Sequence, residues 1–331
     1  MRRSGLLNNL SNPIFPIQAQ FCFIHLTIQE FLAAKNVTET QSPEEIKNFI
    51  SSNVKHACKW HLVLQFIAGI LGQRMKMSTE EYQRYKDCVL AFTESFRIGD
   101  NNKLELCADN NSVFVMKCLR EAGNIDIVKE ACEKAAMNDV LRLSYNHGPR
   151  ILSSSEWAAV FFVCKQMKEL TDIYLKLPDW SDESYMEFCK LLQQRCIKKL
   201  SLKAPGLDVT LSKLRDPPLA KPFFEALMKS MCTLDHQHSE LIKLELRRLS
   251  TDESLSTILD FFKRGHASYL EILALENDGL TSTGIAEIIK VLDEKLCPEL
   301  KILNLSLNNI LDESVRMLCK ALIKCRQLKL T

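Results

Sequence analysis

From residue 28 to about 140, apolar residues recur at helical spacing, and strand alternation is absent. "TIQEFLAAKNV" (27–37) carries apolar residues at Ile28, Phe31, Leu32 and Ala34, with Thr27 as the expected N-cap. Ser42-Pro43-Glu44-Glu45 sets a cap, a first-turn proline and acids in the order a helix start needs. "WHLVLQFIAGILGQ" (60–73) is almost wholly apolar, so it is expected in the core. Ser78 and Glu81 have capping-box spacing, and "NSVFVMKCLREAGNIDIVKEACEKAA" (111–136) reads as two helices about a Gly123-Asn124 turn. A compact helical domain over 28–145 follows.

"SYNHGPR" (144–150) breaks this pattern with Asn, His, Gly and Pro, and marks the expected domain boundary. Beyond it one template recurs: L-x-x-L-x-L followed by an amphipathic helix. The copies are "LTDIYL" (170–175), "IKKLSL" (197–202), "LIKLEL" (241–246), "LEILAL" (270–275) and "LKILNL" (300–305), with "CRQLKL" (325–330) as a sixth start. Start-to-start spacings are 27, 44, 29, 30 and 25 residues. The copy "LKILNLSLNNI" extends to L-x-x-L-x-L-x-x-N-x-L, with Asn308 and Ile310 in the last two places. That is the leucine-rich-repeat consensus. Alternate leucines of a short strand point into a shared core, and each repeat needs its neighbours to bury them. The Asn position holds Pro178, Pro205, Leu249 and Asp278 in the other copies. The 44-residue interval carries Pro205, Pro217, Pro218 and Pro222, and reads as a loop insertion or one unrecognisable repeat.

The expected fold class is an α-helical domain followed by an α/β leucine-rich-repeat solenoid, a horseshoe of ribonuclease-inhibitor-type repeats. The expected organisation is 1–27, 28–145 and 150–331, with the final repeat truncated.

"FCFIHLTIQEFLAA" (21–34) resembles the F-x-H-x-(S/T)-x-Q-E-(F/Y)-x-A-A signature of NOD-like receptors, the NACHT–leucine-rich-repeat family. "WHLVLQFIAGILG" is similar to the W-x-x-x-x-x-F-x-x-G-L-L element that follows in the family, and "VMKCLREAGN" resembles its K-C-L-x-E segment. The repeats come next, in family order, so the resemblance covers residues from about 4 to 331. It implies that 1–27 is the tail of a winged-helix domain and 28–145 a second helical domain. It also implies that His25 contacts a phosphate of bound ADP, which an imidazole N–H can do. The plainer reading makes His25 a half-buried residue ending a strand.

One family feature is absent: none of the ten glycines is followed by Lys, so the chain has no G-x-x-x-x-G-K-(S/T) phosphate loop. The chain therefore reads as a C-terminal portion without the nucleotide-binding domain. It is expected to hold no cofactor, because ATP or ADP would need that missing NACHT domain.

The formal net charge of +2 gives no electrostatic ground for nucleic acid or anionic membrane as the main partner. The longest apolar run, "LVLQFIAGIL" (62–71), is too short to span a bilayer, which takes about 20 residues. The N-terminus lacks the apolar core of a secretory signal. Thirteen cysteines, with no C-x-x-C pair and scattered through apolar stretches (Cys22, Cys118, Cys189, Cys319), read as buried reduced thiols of a cytoplasmic protein.

Cys232, His236 and His238 form C-x3-H-x-H without a fourth ligand at standard spacing, so no metal site is expected. His56, Cys58 and His61 do not share a helix face, and no catalytic constellation is present. Recognition is expected from strand positions between the leucines: Lys199, Ser201, Lys203, Lys243, Glu245, Arg247, Ile272, Ala274, Glu276, Ile302, Asn304 and Ser306. The chain is expected to be non-enzymatic: the sensing and autoinhibitory half of an innate-immune receptor. Its repeats would meet a protein or a microbial or endogenous ligand, and its other partner would be the NACHT domain. The alternative is a standalone leucine-rich-repeat scaffold or inhibitor.

Overall fold

The structure, a computed structural model, describes residues 7–10, 20–23, 25–96, 104–107, 110–135, 140–144, 152–168, 170–176, 182–203, 226–228, 240–247, 252–323 and 328–330. They divide into two compact units.

Among the described residues the first unit holds an antiparallel pair, β1 (Leu7–Leu10) with β2 (Gln20–Phe23), and six α-helices. These are α1 (Leu26–Thr40), α2 (Pro43–Asn53), α3 (Ala57–Met75), α4 (Thr79–Leu90), α5 (Asn110–Ala122) and α6 (Ile125–Lys134). Their starts follow the sequence chemistry. The Ser42 hydroxyl accepts from the Glu45 amide at 3.3 Å, and a Glu45 carboxylate oxygen accepts from the Ser42 amide at 2.7 Å. Ser78 Oγ accepts from the Glu81 amide at 3.1 Å. Gly123, at φ 58°, reverses the chain, and Asn124 Oδ1 accepts from the Asp126 and Ile127 amides to start α6. One start differs from expectation. α1 begins at Leu26, so its N-cap is His25 rather than Thr27: the backbone is extended at His25, and the His25 carbonyl already accepts from Ile28 N and Gln29 N.

Helix α3 packs against α1, α4 and α5, with Val63, Leu64, Ile67, Ala68 and Leu71 buried. Near its end, Arg74 Nη1 donates to the Thr38 carbonyl of α1 at 2.6 Å and to the Tyr85 hydroxyl of α4 at 3.1 Å. One guanidinium thus ties three helices together.

The second unit is built on a parallel sheet, eight-stranded among the described residues. Its strands are β3 (Leu104–Cys107), β4 (Val140–Ser144), β5 (Asp172–Lys176), β6 (Lys199–Lys203), β7 (Lys243–Arg247), β8 (Ile272–Glu276), β9 (Ile302–Asn304) and β10 (Lys329–Leu330). Each strand pairs with the next in chain order, an α/β arrangement. Its described helices are α7 (Ser154–Cys164), α8 (Asp182–Gln194), α9 (Asp252–Lys263), α10 (Ser282–Asp293) and α11 (Asp312–Ile323). Leu200, Leu244, Leu273 and Leu303 are mutual register partners, as are Leu202, Leu246 and Leu275, and all are buried. Below them Trp157 and Phe161 of α7 stack at 5.3 Å, and Phe161 meets Phe188 of α8 at 5.3 Å.

The same corner precedes successive strands. Lys198 and Lys199 amides donate to Thr171 O, Ile242 and Lys243 to Lys198 O, Glu271 and Ile272 to Ile242 O, and Lys301 and Ile302 to Glu271 O. Asn308 ties the far ends of β8 and β9: its Oδ1 accepts from the Asp278 and Leu280 amides, and its Nδ2 donates to Leu275 O and Leu305 O at 2.7 and 2.8 Å.

Two expectations need revision. Strands are not absent between 28 and 145, because β3 and β4 join the sheet. Their Leu104-x-Leu106 and Leu141-x-Leu143 fit the template, but its first leucine is replaced by Asn101 and Asn138. β6 pairs directly with β7 over all five positions, so no strand of the sheet lies between them, in keeping with the loop-insertion reading of the long interval, whose residues 204–225 and 229–239 lie outside the described ones. Cys319 is exposed rather than buried.

Asn277 and Leu307 occupy equivalent places, two residues past the second strand leucine, and both have positive φ, 56° and 62°. Asn tolerates this region, whereas a branched side chain is strained there by roughly 1–2 kcal/mol. Leu307→Asn is therefore expected to raise stability by about 0.5–1 kcal/mol, read as a higher urea midpoint. Among the described residues no helix is long and apolar enough to cross a membrane.

Candidate recognition surface

The strand residues between the core leucines form the opposite face of the sheet. Three register columns cross it. One runs Asp172, Lys199, Lys243, Ile272, Ile302; the next Tyr174, Ser201, Glu245, Ala274, Asn304; the third Lys176, Lys203, Arg247, Glu276. Most of the residues expected at this surface are thus placed side by side. Asp172 and Tyr174 belong with them. The copy at 170–175 put both at outward positions, and that periodicity was the signal by which they could have been found.

The charged side chains here are paired across strands. Lys199 Nζ donates to Asp172 Oδ2 at 2.9 Å, which holds the lysine pKa above its usual value. Glu245 lies at the centre. Its Oε2 accepts from Ser201 Oγ at 2.8 Å and lies 3.1 Å from Lys243 Nζ, while its Oε1 lies 3.4 Å from Lys203 Nζ. Arg247 Nη2 lies 3.0 Å from Glu276 Oε1. Lys243 also stands over the Tyr174 ring, 5.9 Å from its centroid. Beyond β7 the face becomes less charged: Ile272 and Ile302 are half-buried, and Ser306 donates from its amide and its hydroxyl to Asn304 Oδ1.

Two residues expected to face a partner do not. Ser201 and Ala274 are buried although they point away from the leucines. Ser201 lies beneath the Glu245 carboxylate it bonds, and Ala274 is a short side chain set between Glu245 and Asn304 in register. The middle column is therefore a floor, and the longer flanking side chains make the surface.

Burial by itself would raise the Glu245 carboxyl pKa. The hydrogen bonds from Ser201 and Lys243, with the charges of Lys243 and Lys203, outweigh it and hold the pKa below the ordinary 4.5. A carboxyl that ionises more readily in the folded state adds stability above its unfolded pKa, and this is lost as pH falls through the lower folded value. Urea midpoints should thus fall for the wild type on acidification from pH 6 to 3. Glu245→Gln should lose about 1 kcal/mol near neutral pH, a deficit that shrinks toward zero at the acid end.

His25 is exposed, so it is not the half-buried strand-ending residue of the plainer reading, and its side chain makes no capping bond to α1. The chain offers a nucleotide one imidazole there and no phosphate loop. Among the described residues no group of three or more His, Cys, Asp or Glu is arranged for a metal. Cys232, His236 and His238 lie outside the described residues, as do the side chains of His56 and Cys58; His61 lies against Phe114, the ring centroids 4.7 Å apart and the planes tilted by 37°. Burial pushes the Cys88 thiol pKa up to about 11 and that of Cys297 up to about 12, so neither is a ready nucleophile. No family model and no curated protein matches the chain.

Proposed function

We propose that this chain is the sensing and autoinhibitory half of a cytoplasmic NOD-like receptor. Its second unit acts as a leucine-rich-repeat horseshoe of the ribonuclease-inhibitor type, and its first as the helical domain between that horseshoe and a nucleotide-binding NACHT domain. It catalyses nothing. Its surfaces hold the NACHT domain closed until a protein or small ligand competes for them, a two-state arrangement biased by differential contacts.

The observation that carries this reading is the unbroken parallel register from β5 to β9, with leucines on one side and a paired polar face on the other. The exposed His25 at the start of α1 adds to it, since that imidazole is open to a phosphate presented by another domain. Within this chain His25 can supply one N–H and nothing more, so nucleotide chemistry belongs to the NACHT domain. The second reading, a standalone scaffold or inhibitor, is favoured by the same polar face, which needs no switch to bind a partner.

The genomic sequence upstream of Met1 separates the two. An in-frame G-x-x-x-x-G-K-(S/T) supports the receptor half; a clean transcription start supports the scaffold. The encoded NACHT domain, loaded with ADP, is then titrated into the purified chain by calorimetry. Micromolar binding that weakens about tenfold with a non-hydrolysable ATP analogue is expected, a coupling of ordinary size for a switch. Equal binding of both loaded forms, or none, rules out autoinhibition.

A further inference from the structure

We propose that the sheet face over β6–β9 takes an acidic segment of a partner protein, its carboxylates over β6 and β7 and its apolar residues over β8 and β9. This rests on the reading of that face as the recognition surface, and deepens it by naming the partner's chemistry.

The ion pairs are layered. In each, the acid lies at the sheet and the cation stands outside it. Side-chain exposure is 43% for Lys199 against 11% for Asp172, and 35% for Arg247 against 19% for Glu276. Around Glu245, at 17%, stand Lys203 at 34% and Lys243 at 25%. A molecule approaching the face therefore meets ammonium and guanidinium groups first.

Each ammonium has three N–H donors and the guanidinium five, while the pairing described above uses one acid contact apiece. The residual charge is also positive. At the outward positions of β6–β9 four cations (Lys199, Lys203, Lys243, Arg247) face two carboxylates (Glu245, Glu276), giving 4 − 2 = +2, with Asp172 of β5 beside Lys199.

The register sets the pattern a ligand must match. Lys199 and Lys243 are level with each other, as are Lys203 and Arg247 four residues further along. Neighbouring strands lie about 4.8 Å apart, and four residues of strand span about 13 Å. Carboxylates on an extended segment, four residues apart, would meet both pairs of cations. Ile272 and Ile302 continue the Lys199–Lys243 level across the next two strands, which suits apolar side chains beside the acids.

A nucleic acid fits less well. Its phosphates would also meet the three carboxylates between the cations, and it has no use for the neighbouring isoleucines.

The test uses the full chain and a fluorescein-labelled peptide of five alternating Asp and Glu residues, the first and last four residues apart, followed by Leu-Val-Leu. The controls are its Asn/Gln counterpart and an oligouridylate of ten nucleotides. Anisotropy should show binding of the acidic peptide, weakened about tenfold between 50 and 250 mM salt as surface charges are screened. Lys243→Gln with Arg247→Gln should weaken it by about tenfold or more, and Glu276→Gln, which removes a competing carboxylate, should tighten it about threefold. If the first pair fails to fold by circular dichroism, Lys199→Gln with Lys203→Gln carries the same expectation.

Equal binding of the neutral peptide, tighter binding of the oligouridylate, or indifference to these substitutions overturns the proposal. A chain that binds the NACHT domain but ignores the acidic peptide loses this inference alone. One that binds the peptide through these cations but not the NACHT domain keeps it and loses the receptor reading.

Discussion

Leu303→Asp is expected to unfold the β8–β10 end of the sheet. Leu303 is fully buried in β9, with Leu273 and Leu330 as its register partners. Removing the leucine alone leaves a cavity worth about 3–5 kcal/mol. The aspartate adds the cost of placing a carboxyl at a fully buried position between leucine register partners, so it must protonate or force the strand apart. A total above about 5 kcal/mol rivals the stability of a whole domain.

The damage should be graded, because a unit stacked in chain order leans on its neighbours. Hydrogen exchange should show β9 and α11 unprotected first, then β8, with β5 and β6 keeping protection longest. Asn304→Asp, one residue on and facing the other way, should cost less than about 1 kcal/mol. Equal effects from the two substitutions would mean the strand does not present alternate faces as described.

Gly72→Ala carries the second largest expected effect. A Cβ at Gly72 would lie 2.0 Å from the Ala122 carbonyl oxygen and 2.6 Å from that residue's C and Cα. These are backbone atoms of α5, so no rotamer change makes room and the two helices must separate. A loss of about 3 kcal/mol or more is expected. Gly69 is the glycine that matches the motif of the resemblance, yet a Cβ there meets nothing closer than Glu121 O at 4.0 Å. Gly69→Ala should thus be neutral, or stabilise by up to about 1 kcal/mol through helix propensity. Melting curves of the two variants, measured side by side, check both the sign and the gap.

The contrast between these glycines shows what a sequence carries and what it does not. Both sit in one apolar run, and only the approach of α5 tells them apart. The caps at Ser42 and Ser78 and the turn at Gly123-Asn124 were legible because they act within four residues of chain. The leucine rungs were legible because burial on one side of a strand leaves a period of two. β3 and β4 were not, because Asn101 and Asn138 replace the leucine that opens the template.

The recognition face was legible in membership but not in depth. Alternation identified Lys199, Lys243, Glu245 and Arg247, whereas the burial of Ser201 and Ala274 depends on the length of neighbouring side chains. The inward placing of the acids depends on reach as well. Asp172 and Lys199 are cross-strand partners, and the longer side chain extends outward over the shorter one.

The central claim is that Leu244, Leu273 and Leu303 are consecutive rungs of one interior. Methyl–methyl nuclear Overhauser spectra of the protein, deuterated except at Ile, Leu and Val methyls, test it directly. Strong cross-peaks are expected from Leu244 to Leu273 and from Leu273 to Leu303, across single strand spacings of about 4.8 Å, with only a weak one from Leu244 to Leu303. Absence of the two neighbour cross-peaks, or a dominant one from Leu244 to Leu303, would contradict the account.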